Sequence, residues 1–226
     1  MKIDILTLFP NMFEGFLNES IIKRAIEKNL ITINVHNIRD YSKLKNKQVD
    51  DYQFGGGAGM VLMCEPIFDA IEDLRTDDTE VIMLTPSGTE FNQQLAYDFS
   101  KKKHLILLCG HYEGFDERIK TIVDRTISIG NYVLTGGEIP AMAITDSVVR
   151  LIDGVINKDS LINESFEDDL FDYPVYTKPS NFRGLEVPEV LLSGDHKKIA
   201  DWRENARIEK TRNIVGDKNE SSVYKE

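Results

Sequence analysis

Long apolar runs are missing from this chain. No stretch reaches the roughly 20 apolar residues that a membrane-crossing helix needs. The opening Met1-Lys2-Ile3-Asp4-Ile5-Leu6 is interrupted by charge, so it reads as a first strand rather than a signal peptide. Cysteine is scarce: Cys64 and Cys109 are the only two, both in apolar surroundings. That excludes a disulfide framework and points to reduced, buried thiols in a cytoplasmic protein. The four histidines (His36, His104, His111, His196) are scattered and give no zinc-ligand spacing. Positive charge is also short, with 27 Lys and Arg against 38 Asp and Glu and a formal charge of −11. That argues against broad electrostatic capture of nucleic acid, although a local basic face can sit on an acidic molecule. Three common signatures are absent. No Gly-Lys-Ser/Thr follows the glycines at 55–59, no strand and third glycine make them a dinucleotide fingerprint, and no serine sits in a Gly-x-Ser-x-Gly elbow.

What is present is a chain of 226 residues, 41% hydrophobic and 29% charged, enough for one large domain or a domain with a small appendage. Residues 2–8 read as a buried strand. Asn11 and Glu14 form a capping-box-like start to a helix carrying Phe13, Phe16, Leu17, Ile21 and Ala25 on one face, closed by Asn29. Ile31, Ile33 and Val35 alternate as a second strand, completing a βαβ unit. Residues 37–60 are a long polar loop ending in glycines, of the kind that is functional or disordered. A helix over 66–74, a strand over 80–84, a turn at 85–88, a helix over 91–102 and a strand over 105–109 follow. Next come a helical pattern at 113–123, a short strand at 126–129 and an apolar helix over 140–153. Strands alternating with helices predict an α/β fold with a mostly parallel sheet.

Composition shifts near residue 155. Residues 159–172 hold six acids and no Lys or Arg, which reads as a linker. A helix starting near 196 sets Ile199, Trp202 and Ala206 against Lys197, Lys198, Arg203, Arg207, Lys210 and Arg212. The predicted organisation is a cofactor-binding α/β domain at 1–158, an acidic linker at 159–175 and a small helical domain at 176–226.

Residues 109–140 concentrate the glycines Gly110, Gly114, Gly130, Gly136 and Gly137 at or near the ends of apolar runs. Glycine there lets a ligand or another chain approach the backbone closely. Several such turns predict a ligand held by main chain at the carboxyl edge of a parallel sheet. Each signal also has a plain reading. Glu113, Asp116, Glu117 and Arg118 can serve only a helix start, the acidic run only a solvated linker, the basic face only solubility, and Arg150 only a helix end.

Ordered motifs run along the chain: Leu8-Phe9-Pro10-x-Met12-Phe13, Val49-Asp50-Asp51, Gly55-Gly56-Gly57-Ala58-Gly59-Met60 and Leu84-Thr85-Pro86-x-Gly88. They continue with Cys109-Gly110-His111-Tyr112-Glu113-Gly114-Phe115-Asp116-Glu117-Arg118, the run from Ser128 to Met142, Glu164-Ser165-Phe166, Tyr173-Pro174, Tyr176-Thr177-Lys178-Pro179 and Val190-Leu191-Leu192-Ser193-Gly194. In this order they resemble those of the bacterial tRNA (guanine-N1)-methyltransferases, which modify the guanine 3′ of the anticodon.

The resemblance implies a trefoil-knotted α/β domain of the SPOUT class, a small helical domain, and a homodimer acting on tRNA with no membrane. It implies S-adenosylmethionine as methyl donor, seated by Leu84, Pro86, Gly110, Tyr112, Glu113, Ile129, Gly130, Asn131, Tyr132, Val133, Leu134, Gly136, Gly137 and Pro140. It places a general base at Glu164, where relatives have aspartate, and matches Arg150 to an arginine near guanine O6. Glu113 matches an acid tied to Mg²⁺ dependence, and His111 stands where arginine is usual. The rival readings are another knotted RNA methyltransferase, acting on ribose or ribosomal RNA, and a non-enzymatic RNA- or nucleotide-binding module.

Overall fold

Strand and helix alternate along the first half of the chain because its apolar residues change period from two to about 3.6 and back. The computed structural model describes residues 1–157 and 170–222, with side chains as far as 214. Residues Met1–Ile156 and Asn157–Glu226 form two compact units, each taken by itself below.

The first unit runs β1 (Lys2–Thr7), α1 (Glu14–Leu17), α2 (Ser20–Glu27), β2 (Thr32–Asn37), β3 (Asp50–Asp51), β4 (Val61–Leu62), α3 (Cys64–Leu74), β5 (Thr79–Glu90), α4 (Gln93–Ser100), β6 (His104–Leu108), β7 (Arg125–Ser128) and α5 (Glu138–Val149). Five strands form one parallel sheet in the order β2-β1-β6-β5-β7. Side chains alternate across it. Ile3, Ile5, Leu105 and Leu107 pack with Phe13, Phe99, Ile144 and Val148 on one face. Leu6, Ile106 and Leu108 pack with Ile38, Ile67, Ile71 and Ile119 on the other. A parallel sheet covered on both faces is the expected α/β architecture.

The sheet also buries a carboxylate on β1. Asp4 is fully buried and accepts hydrogen bonds from Asn34 (2.7 Å) and the His36 (3.0 Å) and His104 (2.7 Å) rings, and pairs with Lys2 (2.6 Å). Burial alone would raise its pKa, but these partners together hold it well below the usual carboxylate range.

Three elements differ from the sequence reading. The helix predicted across 11–29 is a 3-10 turn (Pro10–Phe13) and two short helices. The Asn18 side chain donates to the Glu14 carbonyl at 2.8 Å and closes the first helix, and Ser20 takes φ 55° before the second continues. Neither the 3-10 turn nor the first helix has a side-chain cap, so the predicted capping box is not made. The helix predicted at 113–123 shrinks to a 3-10 turn, Glu117–Thr121. Residues 113–116 instead bond to the loop before α3: Glu113 N–H donates to the Met60 carbonyl (3.0 Å), Leu62 N–H to Gly114 (2.9 Å), and Asp116 N–H to Leu62 (2.9 Å). The strand predicted at 80–84 continues to Glu90. Both Leu84 and Thr89 oppose Ile127, so residues 85–88 loop out and return to the same partner.

In the second unit, β8 (Asn181–Phe182) and β9 (Leu185–Glu186) form a small hairpin, followed by α6 (Glu189–Leu192) and α7 (His196–Ser222). Asp195 accepts from the Lys197 and Lys198 amides and starts α7. Along that helix the basic residues are not uniformly solvated. Arg207 is only 3% exposed and donates to the Phe171 carbonyl; Lys210 pairs with Asp172 at 2.6 Å; Arg203 lies over the Tyr173 ring at 4.8 Å. No described helix is long and apolar enough to cross a membrane.

Candidate active site at the carboxyl edge of the sheet

Parallel strands aim their carboxyl ends the same way, so the loops that leave β5, β6 and β7 gather at one edge. They enclose a cavity of about 450 Å³. Its wall has three parts: Leu84 to Ser87 where β5 loops out, Gly110 to Phe115 after β6, and Ile127 to Gly130 with Tyr132 to Gly137 around the end of β7. Pro140 closes it from the first turn of α5.

The glycines are where backbone meets backbone. A Cβ on Gly88 would lie 2.5 Å from the Ile127 nitrogen, and one on Gly137 would lie 2.6 Å from the Cys109 Cα. Gly137 N–H donates to the Gly110 carbonyl at 2.9 Å, tying the α5 entrance to the exit of β6. A side chain at Gly110 would strike the Phe115 ring at 2.6 Å. Tyr112 (φ 59°), Gly114 (φ 110°) and Gly130 (φ 148°) take left-handed backbone in the turns that form the wall.

Of the residues expected to seat a methyl donor, Leu84, Pro86, Gly110, Tyr112, Glu113, Ile129, Gly130, Tyr132, Val133, Leu134, Gly136, Gly137 and Pro140 all line this cavity. Asn131 lies between lining residues but is not itself on the wall. Arg150 is not there either. It follows α5, ten residues beyond Pro140, or roughly 15 Å along the axis at 1.5 Å per residue. Glu164 lies outside the described residues. Among the described residues, no three His, Cys, Asp or Glu side chains come together as a metal site.

Sequence reasoning missed two contributors. Glu138 is 1% exposed, accepts from the Thr7 hydroxyl at 2.6 Å, and meets the His111 ring at 2.7 Å. Burial, followed by the Glu138 carboxylate, pushes the neighbouring Cys109 thiol up in pKa. Nothing in the spacing of Thr7, His111 and Glu138 signals this contact, because 131 residues separate its ends. The second is the end of the long polar loop over 37–60, the glycines at 55–59. Its end lies against the cavity wall, where a Cβ on Gly59 would meet the Glu113 side chain at 2.5 Å.

Such a cavity suits a ligand held mainly by main chain: three glycine-rich turns, an apolar floor, and few charged groups. Its volume falls within the usual range for small-molecule sites, roughly 300–1,000 Å³.

Known proteins match the chain along nearly its whole length. The family model described as tRNA (Guanine-1)-methyltransferase TrmD matches residues 1–218. A tRNA (guanine-N(1)-)-methyltransferase of Malacoplasma penetrans is 58% identical over 212 residues, covering 94% of each chain. One from Ureaplasma urealyticum serovar 10 is 54% identical and covers 99% of this chain and 96% of its own. One from Carboxydothermus hydrogenoformans is 58% identical over 92% of this chain and 83% of its own. With a match of this length and relatives this similar across nearly their whole length, the chain belongs to the tRNA (guanine-1)-methyltransferase family.

Proposed function

We propose that this protein methylates N1 of guanine in tRNA, at the position 3′ of the anticodon, with S-adenosylmethionine as donor. The observation that carries the reading is the main-chain-walled cavity at the ends of β5, β6 and β7, in a chain of this family. The cavity fits the donor by size and lining, with Leu84, Ile129, Leu134 and Pro140 as apolar contacts and the Gly110 and Ile129–Leu134 backbone as polar ones. When bound, S-adenosylmethionine supplies an electrophilic methyl group on a sulfonium.

The protein's own residues have two further tasks. Guanine N1 carries a proton at neutral pH and is a poor nucleophile until it loses it, so a base must stand within hydrogen-bond reach. Glu164 is that base in our reading, one methylene longer than the aspartate of relatives. Negative charge then grows at O6, where Arg150 would meet it. Because Arg150 stands at the far end of α5 from Pro140, a second copy of the chain would have to bring it to the cavity. That favours a homodimer. Exposed Tyr112, Tyr132, Val133 and Ile139 on the segments that form the cavity, with Phe9 against His111, offer apolar surface for the contact. The target base must leave its stack to reach the methyl group. The tight crossings at Gly88 and Gly137 support the knotted threading that the resemblance implies. Among the described residues no group of side chains fits a protein-only Mg²⁺ site, and no step here runs through the metal.

The test is direct. Bulk tRNA is methylated with labelled S-adenosylmethionine and digested to nucleosides. Label in 1-methylguanosine is the expected result; label only in ribose-methylated nucleosides, or none, would overturn the reading.

A further inference from the structure

We infer that His111 is a positioning residue: through Glu138 it holds the Gly136–Gly137 turn as a wall of the methyl-donor cavity. This rests on the donor reading above. Three segments far apart in sequence meet at one buried carboxylate. Thr7, at the end of β1, donates its hydroxyl to Glu138 Oε1 at 2.6 Å. His111, just past β6, places Nε2 at 2.7 Å from Glu138 Oε2. Glu138 opens α5 directly after the two glycines.

Gly136 is pressed onto this pair. A Cβ there would lie 2.3 Å from His111 Cε1 and Nε2 and 2.5 Å from Glu138 Oε2. The turn therefore follows the pair: moving the ring or the carboxylate moves Gly136, and with it the bond from Gly137 to Gly110. Both glycines, Gly110 and His111 itself line the cavity. When Glu138 is ionised, the hydrogen of this bond sits on His111 Nε2, since a carboxylate only accepts. Thr7 serves one oxygen and His111 the other, so removing the ring leaves Oε2 buried with its partner lost. The groups facing the pair are the Thr7 hydroxyl, the Cys109 thiol beneath, and the Phe9 ring, 4.7 Å edge-on to the imidazole. Phe9 N–H in turn donates to the Thr7 hydroxyl at 2.9 Å, which fixes the orientation of that donor.

The experiment titrates S-adenosylmethionine calorimetrically into the full-length wild type and the variants His111→Ala, Glu138→Gln and their double mutant, with thermal midpoints and both KM values measured in parallel. His111→Ala should weaken donor binding by about tenfold or more, because the carboxylate left behind pulls on the turn. KM for the donor should rise by the same factor, with KM for tRNA within about twofold. Neutralising the carboxylate should remove much of that loss, so the double mutant binds better than the product of the single effects. Should His111→Ala fail to fold, His111→Gln against His111→Met decides the same question, since the two have similar length and only Gln keeps an N–H donor. His111→Met must then bind the donor about tenfold more weakly than His111→Gln.

Donor affinity unchanged in folded His111→Ala, or single effects that simply multiply, would overturn the inference while leaving the donor reading intact. Failure of the wild type to bind S-adenosylmethionine would overturn the donor reading and this inference with it.

Discussion

Replacing Gly88 by alanine adds a single methyl group at the closest main-chain crossing in the first unit. Residues 85–88 leave the sheet after Leu84 and rejoin it at Thr89, both opposite Ile127. The new Cβ would sit 2.5, 2.6 and 2.7 Å from the Ile127 N, C and Cα atoms. Ordinary contact begins at 3.4 Å, so strand and loop must part by about 0.9 Å, the difference of the two distances (3.4 − 2.5). Neither partner is a flexible side-chain end, and Ile127 is fixed in β7 with its side chain buried. Overpacking of this kind costs about 1–3 kcal/mol. For a chain of this length that lowers the thermal midpoint by roughly 2–12 °C. Thr85, Pro86 and Ser87 are cavity wall, so donor affinity should fall together with stability. The control is Gly15→Ala. Gly15 lies in α1 with no atom within 4 Å of the added carbon. It should be neutral, or stabilising by about 1 kcal/mol at most, because alanine favours helix over glycine. Differential scanning calorimetry and donor titration on both variants settle it. If Gly88→Ala melts within about 1 °C of wild type and binds the donor unchanged, the crossing is not the rigid contact argued here.

Three further outcomes are expected. Asp4→Asn should cost about 3 kcal/mol at neutral pH, since it strips a buried carboxylate from Lys2, His36 and His104. The folded pKa of Asp4 is depressed, so its stabilisation is full above the ordinary carboxylate value and is lost as pH falls through the folded one. Urea melts across pH should therefore show the wild-type advantage shrinking toward acid; an advantage that grows instead would contradict this account. Glu164→Gln should cut single-turnover methyl transfer by about 10²–10⁴-fold with donor affinity nearly unchanged; a wild-type rate would move the base to Asp168, Asp169 or Asp172. The net charge of −11 opposes broad phosphate contact, and on α7 Arg207 is buried and Lys210 ion-paired. tRNA affinity should thus depend only shallowly on salt. A loss of roughly 10³ or more between 50 and 200 mM, as expected for six or more phosphate contacts, would refute that.

Much of the architecture was legible in the chain. Apolar runs marked β1 and β6, alternation marked β2, and glycines at strand ends marked the edge where the cavity lies. What escaped was set by distant partners. Residues 113–123 carry a helical pattern, yet their amides and carbonyls are taken by Met60 and Leu62. Such a tertiary claim on the backbone leaves no local trace. The break at Asn18 and Ser20 was hidden because the apolar spacing continues across it. Of the site, the glycine frame could be read from the sequence, whereas Glu138 was lost inside a motif. Its role depends on Thr7 and His111, which only the folded sheet brings to it. The basic face of α7 was read too simply: spacing gave the charges but not the burial of Arg207.

The strand order has a consequence for synthesis. β1 is made first and gains β2 on one side within about 30 residues, since Lys2 opposes Thr32. Its other partner, β6, begins only at His104. β5 is also finished before β6 exists, and the gap it must leave beside β1 is one strand wide. While the ribosome adds the intervening residues, at roughly 5–20 per second, two apolar strand edges stay unpaired for several seconds. Direct pairing of β1 with β5 in that interval would shut out β6 and the cavity built on its exit. The nascent chain is therefore most exposed to mispairing and to other chains just before the segment that completes its sheet emerges.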